Sequence, residues 1–298
     1  MEIANILCPT DFSDTSVHAV DLATMIASWY KARIIGLHVV SAAVAVPEFS
    51  LPRGSVDELA LRSALAARFS VASRAGVGVD VFLEVGSPAA LILDKAASLA
   101  ADMIVMGTHG TSGFQHLVLG SVTERVLRRA ACPVLTVPPR AQATSRVPFG
   151  RLLCAIDFSE SSMAALQCAL SLAEESDARL TMLHVLDWPW EEPPPPRLEE
   201  LPMEQAAALG EYRRYREKMA LTRLNTLAPD SLRLSHRPVT RLSNGKPYAQ
   251  ILDVANEEGS DLIVIGVHGR NPFDMMVFGS TTNQVVRRAT CPVLTLRR

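Results

Sequence analysis

The chain contains the same sequence pattern twice, and this repetition restricts its fold more than any other feature. Ile-Leu-Cys-Pro-Thr-Asp-Phe-Ser at residues 6–13 returns as Leu-Leu-Cys-Ala-Ile-Asp-Phe-Ser at 152–159, an offset of 146 residues. Met-Gly-Thr-His-Gly at 106–110 returns as Ile-Gly-Val-His-Gly at 265–269, and here the offset is 159. Because domains commonly have about 150 residues, duplication of one unit predicts two similar domains, at 1–140 and 149–298.

The second repeat is 13 residues longer, and the change of offset places the extra length between His184 and Gly245. The obvious candidate is Trp-Pro-Trp-Glu-Glu followed by four prolines, at residues 188–196. Consecutive prolines favour an extended path and cannot continue a helix. We expect the segment from Asp187 to Glu200 to be either a surface loop, or a flap or docking strip beside a ligand site.

Short apolar runs alternate with segments of helical spacing in each repeat. In the first repeat, strands are predicted at 3–8, 33–40, 77–84, 102–107 and 133–137, and helices at 14–31, 56–75, 88–100 and 122–130. This alternation predicts parallel strands joined by right-handed crossovers. The predicted fold class is therefore α/β: two repeated, open, twisted, parallel five-stranded sheets of Rossmann-like type, with helices on both faces. Ligands of such sheets bind beyond the carboxyl ends of the strands.

Composition excludes several classes of protein. Apolar residues form 48% of the chain and the net charge is −2, so the chain is globular and has no basic excess for nucleic acid. It has no apolar run of about 18 residues, so membrane insertion is not expected. The start of the chain lacks the pattern of a signal peptide, which favours a cytoplasmic location. The five cysteines show no metal-binding spacing and are expected to be buried free thiols.

A glycine-rich loop follows the fourth predicted strand of each repeat. Gly107 and Gly110 precede the pair Gly120-Ser121, and the second repeat has the same spacing. We expect the glycines at the strand end, such as Gly107 and Gly110, to permit positive φ and a close approach of a ligand to the backbone. Since the Gly-Ser pair directly precedes a predicted helix, its free amides and dipole should attract an anion, and phosphate is the usual one.

The loops resemble Gly-2x-Gly-9x-Gly-Ser/Thr, the nucleotide loop of ATP-binding members of the universal stress protein family. The likeness covers nearly the whole chain twice, and includes Pro-Thr-Asp-Phe-Ser at 9–13 and Cys-Pro-Val-Leu-Thr at 132–136 and 291–295. It implies an ATP-binding stress-response regulator, with Mg²⁺ accompanying the nucleotide. The implied first-site residues are Pro9, Thr10, Asp11, Val39, Met106, Gly107, His109, Gly110, Gly120, Ser121, Val122 and Thr123. The implied second-site residues are Asp157, Val185, Gly266, His268, Gly269, Gly279, Ser280 and Thr281.

The resemblance also implies a role for each group. The loop would hold ribose and phosphates, Val39 would offer backbone groups to adenine, and Asp11 would flank the ribose and metal. From the residues alone, Asp11 suits either a ligand contact or the organisation of a turn. His38 and His184 are better explained as satisfied core histidines, whereas the loop histidines suit either a ligand contact or a hydrogen bond within the loop.

Three functions fit this pattern: an ATP-binding regulatory module, a slow ATPase, and an interaction scaffold with vestigial loops. No Walker A motif or nucleophile elbow is present, which favours the binder over the enzyme. Because the second repeat replaces Pro-Thr by Ala155-Ile156, we expect its site to bind nucleotide less tightly. In the family the last strands pair across a dimer, so we expect 134–137 to pair with 293–296. A homodimer and an unidentified protein partner are also expected.

Overall fold

The computed structural model describes residues 2–41, 56–108, 119–139, 147–187, 203–228, 235–267 and 279–297. The first repeat contains β1 (Asn5–Pro9), α1 (Asp14–Tyr30), β2 (Arg33–Ser41), α2 (Val56–Arg68), α3 (Ser70–Arg74), β3 (Val79–Gly86), α4 (Pro88–Ser98), β4 (Met103–Gly107), α5 (Ser121–Arg129) and β5 (Val134–Val137). The second contains β6 (Arg151–Ala155), α6 (Glu160–Ser176), β7 (Arg179–Leu186), α7 (Met203–Asn225), β8 (Val239–Asn244), α8 (Pro247–Glu258), β9 (Leu262–Gly266), α9 (Ser280–Arg288) and β10 (Val293–Leu296).

All ten of these strands form one sheet, in the order β3-β2-β1-β4-β5-β10-β9-β6-β7-β8. Pairing is parallel inside each half, and the two halves join through antiparallel β5 and β10, where Leu135 lies opposite Leu294. The hydroxyls of Thr136 and Thr295 are buried at this junction and each donates to a carbonyl of the other strand at 3.1 Å. The predicted fold class and the predicted pairing of the final strands are confirmed.

The helices cover both faces of the sheet because the strands are apolar on both sides. Helices α1–α3, α6 and α7 pack on one face, and α4, α5, α8 and α9 pack on the other. The first helix of each repeat begins at a serine, Ser13 or Ser159, whose hydroxyl accepts from the amide three residues later. Each of these two helices ends at a residue with left-handed backbone, Lys31 or Asp177. Local capping therefore fixes both ends of the helices that lie beside β1 and β6.

The prediction of a single helix at 56–75 is wrong, because the chain forms two helices there, α2 and α3. The interruption lies at Phe69, which has φ −95° and ψ 8° and is fully buried. Its ring lies against Gly36 of β2, where an added Cβ would be only 2.4 Å from Phe69 Cε2. In the second repeat Met182 takes the position of Gly36 beside the cysteine of the first strand, and α7 continues without a break.

The extra length of the second repeat lies in the predicted interval, from His184 to Gly245, but mainly outside the predicted proline-rich segment. By strand register residues 188–202 correspond to 42–55, so the segment that leads into α7 is only one residue longer. Most of the surplus lies in α7, whose 23 residues replace residues 56–74, and in residues 226–237, which replace a four-residue connection at 75–78. Residues 188–200, including Trp188 and Trp190, lie outside the described residues.

Of the helices in the described part of the chain, none has both the length and the apolarity needed to cross a bilayer.

Candidate functional site

Each half of the sheet has a cavity at the carboxyl ends of its strands, where the fold class predicts a ligand. The first cavity has a volume of about 410 Å³ and the second about 320 Å³. The predicted residues that line the first are Pro9, Thr10, Asp11, Val39, Met106, Gly107, Gly120, Ser121, Val122 and Thr123. Those that line the second are Asp157, Val185, Gly266, Gly279, Ser280 and Thr281. His109, Gly110, His268 and Gly269 lie outside the described residues.

One wall of each cavity is the first turn of the helix after the glycine-rich loop. Helix α5 begins at Ser121, and its N-cap residue, Gly120, makes no side-chain hydrogen bond. Helix α9 begins at Ser280, and its N-cap residue, Gly279, likewise makes none. The first-turn residues of both helices line the cavities, so their amides and the positive end of the helix dipole lie beside the space. This arrangement suits phosphate oxygens.

A threonine ties each of these helices to the preceding strand. The hydroxyl of Thr123 donates to the Gly107 carbonyl at 3.0 Å, and that of Thr282 donates to the Gly266 carbonyl at 2.8 Å. In the second repeat, the amide of Gly279 donates to the Val267 carbonyl at 3.1 Å. The helix N-terminus is thus held at a fixed distance from the strand end, which preorganises the wall of the cavity.

Two of the glycines at this wall, Gly266 and Gly279, are required by close packing within the protein, and the close approach of a ligand to the backbone stays a prediction. Gly120 and Gly279 have φ of −58° and −54°, which any residue can adopt. Close packing is what requires glycine: a Cβ on Gly279 would lie 2.9 Å from the Val267 carbonyl oxygen. A Cβ on Gly266 would lie 2.6 to 2.8 Å from atoms of Ser161 and Ser162, two of which are backbone atoms. The expectation of positive φ at the strand-end glycines is wrong for Gly107 and Gly266, which end β4 and β9 without a positive φ.

The opposite wall is the end of the second strand of each repeat, which extends past the end of the first. The Thr10 amide donates to the Leu37 carbonyl at 2.8 Å, so the backbone groups of Leu37 point towards β1. In a parallel strand the residue two positions later points the same way. The N–H and C=O of Val39 therefore point beyond the end of β1 into the cavity, and the bond from Ile156 to Leu183 orients Val185 equivalently.

The aspartates that follow β1 and β6 both organise a turn and line a cavity. One carboxylate oxygen of Asp11 accepts from the amide of Ser13 at 3.0 Å and from its hydroxyl at 2.5 Å. Asp157 makes the same two contacts with Ser159. Between each aspartate and serine lies a phenylalanine with φ near 65°, a left-handed conformation that is unfavourable for this residue type. The turn thus positions the carboxylate at the cavity while stabilising the strained backbone.

The histidines in β2 and β7 have partners in the core, as the sequence predicts. Nδ1 of His38 lies 2.8 Å from the Thr10 carbonyl, and Nδ1 of His184 lies 2.6 Å from the Ile156 carbonyl. Both rings also pack against the strained phenylalanine of their repeat, with centroids 4.5 and 4.7 Å apart. The two histidines border the cavities as well, and each joins the strand end to the turn.

Several residues that line the cavities were missed by the sequence analysis. Pro88 and Ile92 of α4 close the first cavity, and Pro247 and Ile251 of α8 close the second. A proline that opens a helix after the third strand marks this wall and was a usable signal. Ser41 lines the first cavity and Arg216 the second, which is also lined by Asp187, the first residue of the segment predicted to be a surface loop or a flap. No sequence signal indicated Arg216, because it comes from α7, far along the chain.

Neither a metal-ligand cluster nor a cysteine lies among the described residues that line the cavities. Within the described ranges, no group of three or more His, Cys, Asp or Glu side chains is placed to hold a metal ion. Burial raises the pKa of Cys132 to about 11 and that of Cys291 to about 12. Cys8 and Cys154 are fully buried in β1 and β6, and burial raises their pKa strongly. All five cysteines are free; four of them are buried as predicted, whereas Cys132 is half-buried.

Comparisons with known proteins bear on both repeats. The profile of the Universal stress protein family matches residues 2–138 and 148–297. A universal stress protein of Mycolicibacterium smegmatis is 31% identical over 303 aligned positions, which cover 98% of this chain and 96% of the relative. One from Methanocaldococcus jannaschii is 38% identical over 139 positions, 44% of this chain and 80% of the relative. The crystal structure of a universal stress protein from Archaeoglobus fulgidus has the same fold, with a TM-score of 0.67, 23% identity and coverage of 99% and 98%. The chain belongs to the universal stress protein family.

Proposed function

We propose that the chain is an ATP-binding regulatory protein with one nucleotide site in each of two domains, residues 1–140 and 149–298. The observation that carries this proposal is the pairing of two features across each cavity. On one side a helix N-terminus offers amides to phosphate. On the other side the Val39 or Val185 backbone offers one donor and one acceptor, the combination that the N1 and N6 edge of adenine requires.

The volumes and linings agree with a nucleotide. Cavities of about 320 and 410 Å³ fall in the range of small-molecule sites, and apolar side chains such as Ile92 and Ile251 suit a base. Magnesium would accompany the phosphates, since Mg²⁺ in such sites is held by phosphate oxygens, waters and only one or two carboxylates. Asp11 and Asp157 are the carboxylates that border the cavities.

The binding test uses the serine that opens each helix. Ser121 and Ser280 are exposed first-turn residues, and glutamate there is favourable for the helix, so Ser121→Glu and Ser280→Glu should fold. Each places a negative charge beside the proposed phosphate seat. A unit charge pair about 5 Å apart at an effective dielectric of about 20 costs about 3 kcal/mol, or roughly a hundredfold in affinity.

Calorimetry with MgATP should therefore show binding to the wild type, loss of one class of sites in each glutamate variant, and loss of both in the double variant. Ser121→Ala is the matched control, because it removes the hydroxyl without adding charge and should weaken binding by about tenfold at most, well short of the effect of glutamate. Absence of MgATP binding to the wild type would refute the proposal. A turnover assay on the same samples separates a binder from a slow ATPase.

Regulation would act through assembly of the chain into a homodimer. Light scattering with and without MgATP measures this directly. A mass that is independent of nucleotide, in a protein that binds nucleotide, would remove this part of the proposal.

A further inference from the structure

The two cavities differ most at the end of the second strand of each repeat. This side lies away from α5 and α9, the helices proposed to bind the phosphates. Residues of β2 and β7 correspond at an offset of 146, since Cys8 pairs with Gly36 and Cys154 pairs with Met182. Asp187 of the second cavity therefore stands where the first has Ser41. A carboxylate replaces a hydroxyl at the same place.

The position of Arg216 can be matched in the same way. Arg68 lies over the ring of Phe12 at 5.8 Å, and Arg223 lies over the ring of the equivalent Phe158 at 4.1 Å. Equating these two arginines sets an offset of 155 between α2 and α7, which places Arg216 where the first repeat has Leu61. The second cavity thus gains a guanidinium as well as a carboxylate.

These two groups lie where a base would bind. The order β9-β6-β7 separates the end of β7 from the helix that follows β9 by one intervening strand. Adjacent strands are about 4.8 Å apart, so the end of β7 lies about 10 Å across the sheet from the end of β9. A nucleotide with its phosphates at Ser280 therefore has its base beside Val185, Asp187 and Arg216.

We infer that the second site selects guanine, whereas the first selects adenine, an inference that rests on the proposed nucleotide-binding function. The backbone N–H of Val185 can donate to either purine, to N1 of adenine or to O6 of guanine. The side chains make the choice: guanine presents two adjacent N–H donors, at N1 and N2, which a carboxylate accepts together, and an O6 acceptor, to which a guanidinium donates. Adenine presents a single exocyclic amino group and no carbonyl oxygen. Ser41 and Leu61 supply no such charged pair in the first repeat.

The first experiment uses the wild-type protein. In calorimetry, adding MgGTP to protein whose two sites hold MgATP should displace about one equivalent of ATP, because GTP is preferred at the second site only. Complete competition between the nucleotides, with ATP preferred at every site, would overturn the inference and leave the proposed function intact. Absence of binding of either nucleotide would overturn both.

The second experiment isolates each site with the glutamate variants. Ser121→Glu leaves the second site, which should bind GTP at least tenfold more tightly than ATP, about the factor expected from even one of the proposed hydrogen bonds to a charged group. Ser280→Glu leaves the first site, which should prefer ATP. Adding Asp187→Ser and Arg216→Leu, the residues of the first repeat, to Ser121→Glu should abolish the GTP preference through loss of GTP affinity.

An unchanged preference after these two substitutions would show that Asp187 and Arg216 do not contact the base and would overturn the inference. Circular dichroism and thermal melts confirm that each variant is folded. If the Ser121→Glu protein does not fold, the stoichiometry of mixed ATP and GTP binding to the wild type decides the question.

Discussion

Gly266 at the end of β9 offers a direct test of how the cavity wall is built. An alanine Cβ at this position would lie 2.6 Å from Ser161 Oγ, 2.7 Å from Ser161 C and 2.8 Å from Ser162 N. Ordinary contacts begin near 3.4 Å, so the first turn of α6 must move by more than half an ångström. The hydroxyl can rotate away, but the two backbone atoms cannot. Overpacking of this kind costs about 1–3 kcal/mol, and the backbone contacts place Gly266→Ala at the upper end, about 3 kcal/mol.

The assay is urea denaturation followed by circular dichroism, without nucleotide. We expect the midpoint of Gly266→Ala to fall and its slope to stay unchanged. Gly210→Ala in α7 is the matched control, because nothing lies within 4 Å of its added Cβ and alanine favours helix. That variant should be more stable than the wild type by about 0.5–1 kcal/mol. Equal midpoints for Gly266→Ala and the wild type would show that close packing is not the reason for glycine here.

Further predictions concern the pairing of β5 with β10, the hydroxyl of Tyr30 and the thiol of Cys132. Replacing Thr136 or Thr295 by valine removes a buried hydrogen bond between β5 and β10, and each change should lower the free energy of unfolding by about 1 kcal/mol. An unchanged free energy of unfolding in urea denaturation would contradict the role of these bonds. Burial, and after it the hydrogen bond to Glu175, raises the pKa of Tyr30 well above its usual value near 10. The free energy of unfolding of the wild type should therefore fall as the pH rises above about 10, and that of Tyr30→Phe should fall less; parallel profiles of unfolding free energy against pH would refute this. Because burial raises the pKa of Cys132 to about 11, only about a thousandth of this thiol is ionised at pH 8, and Ellman's reagent should react far more slowly in native buffer than in urea.

Much of this protein is encoded in local sequence pattern. The repeated motifs and the alternation of apolar runs with helical spacing predicted the element order and the α/β class, because each strand and helix is specified by its own residues. The glycine-serine pairs marked where α5 and α9 begin, because a helix start has a short-range signature. The predicted cavity-lining residues among the described part of the chain do lie together, and their contact with nucleotide stays a prediction.

Tertiary structure decided what depends on residues distant in the chain. Phe69 interrupts a helix where its ring packs on Gly36, and the spacing of residues 56–75 contains no trace of that contact. The need for glycine at Gly279 comes from the Val267 carbonyl rather than from backbone angle. Arg216 reaches the second cavity from α7, although no motif marks it. Local propensity determines the helices and strands, whereas packing between them determines which side chains share a site. The two cavities of this duplicated chain are therefore built from corresponding elements but differ in the side chains that line them.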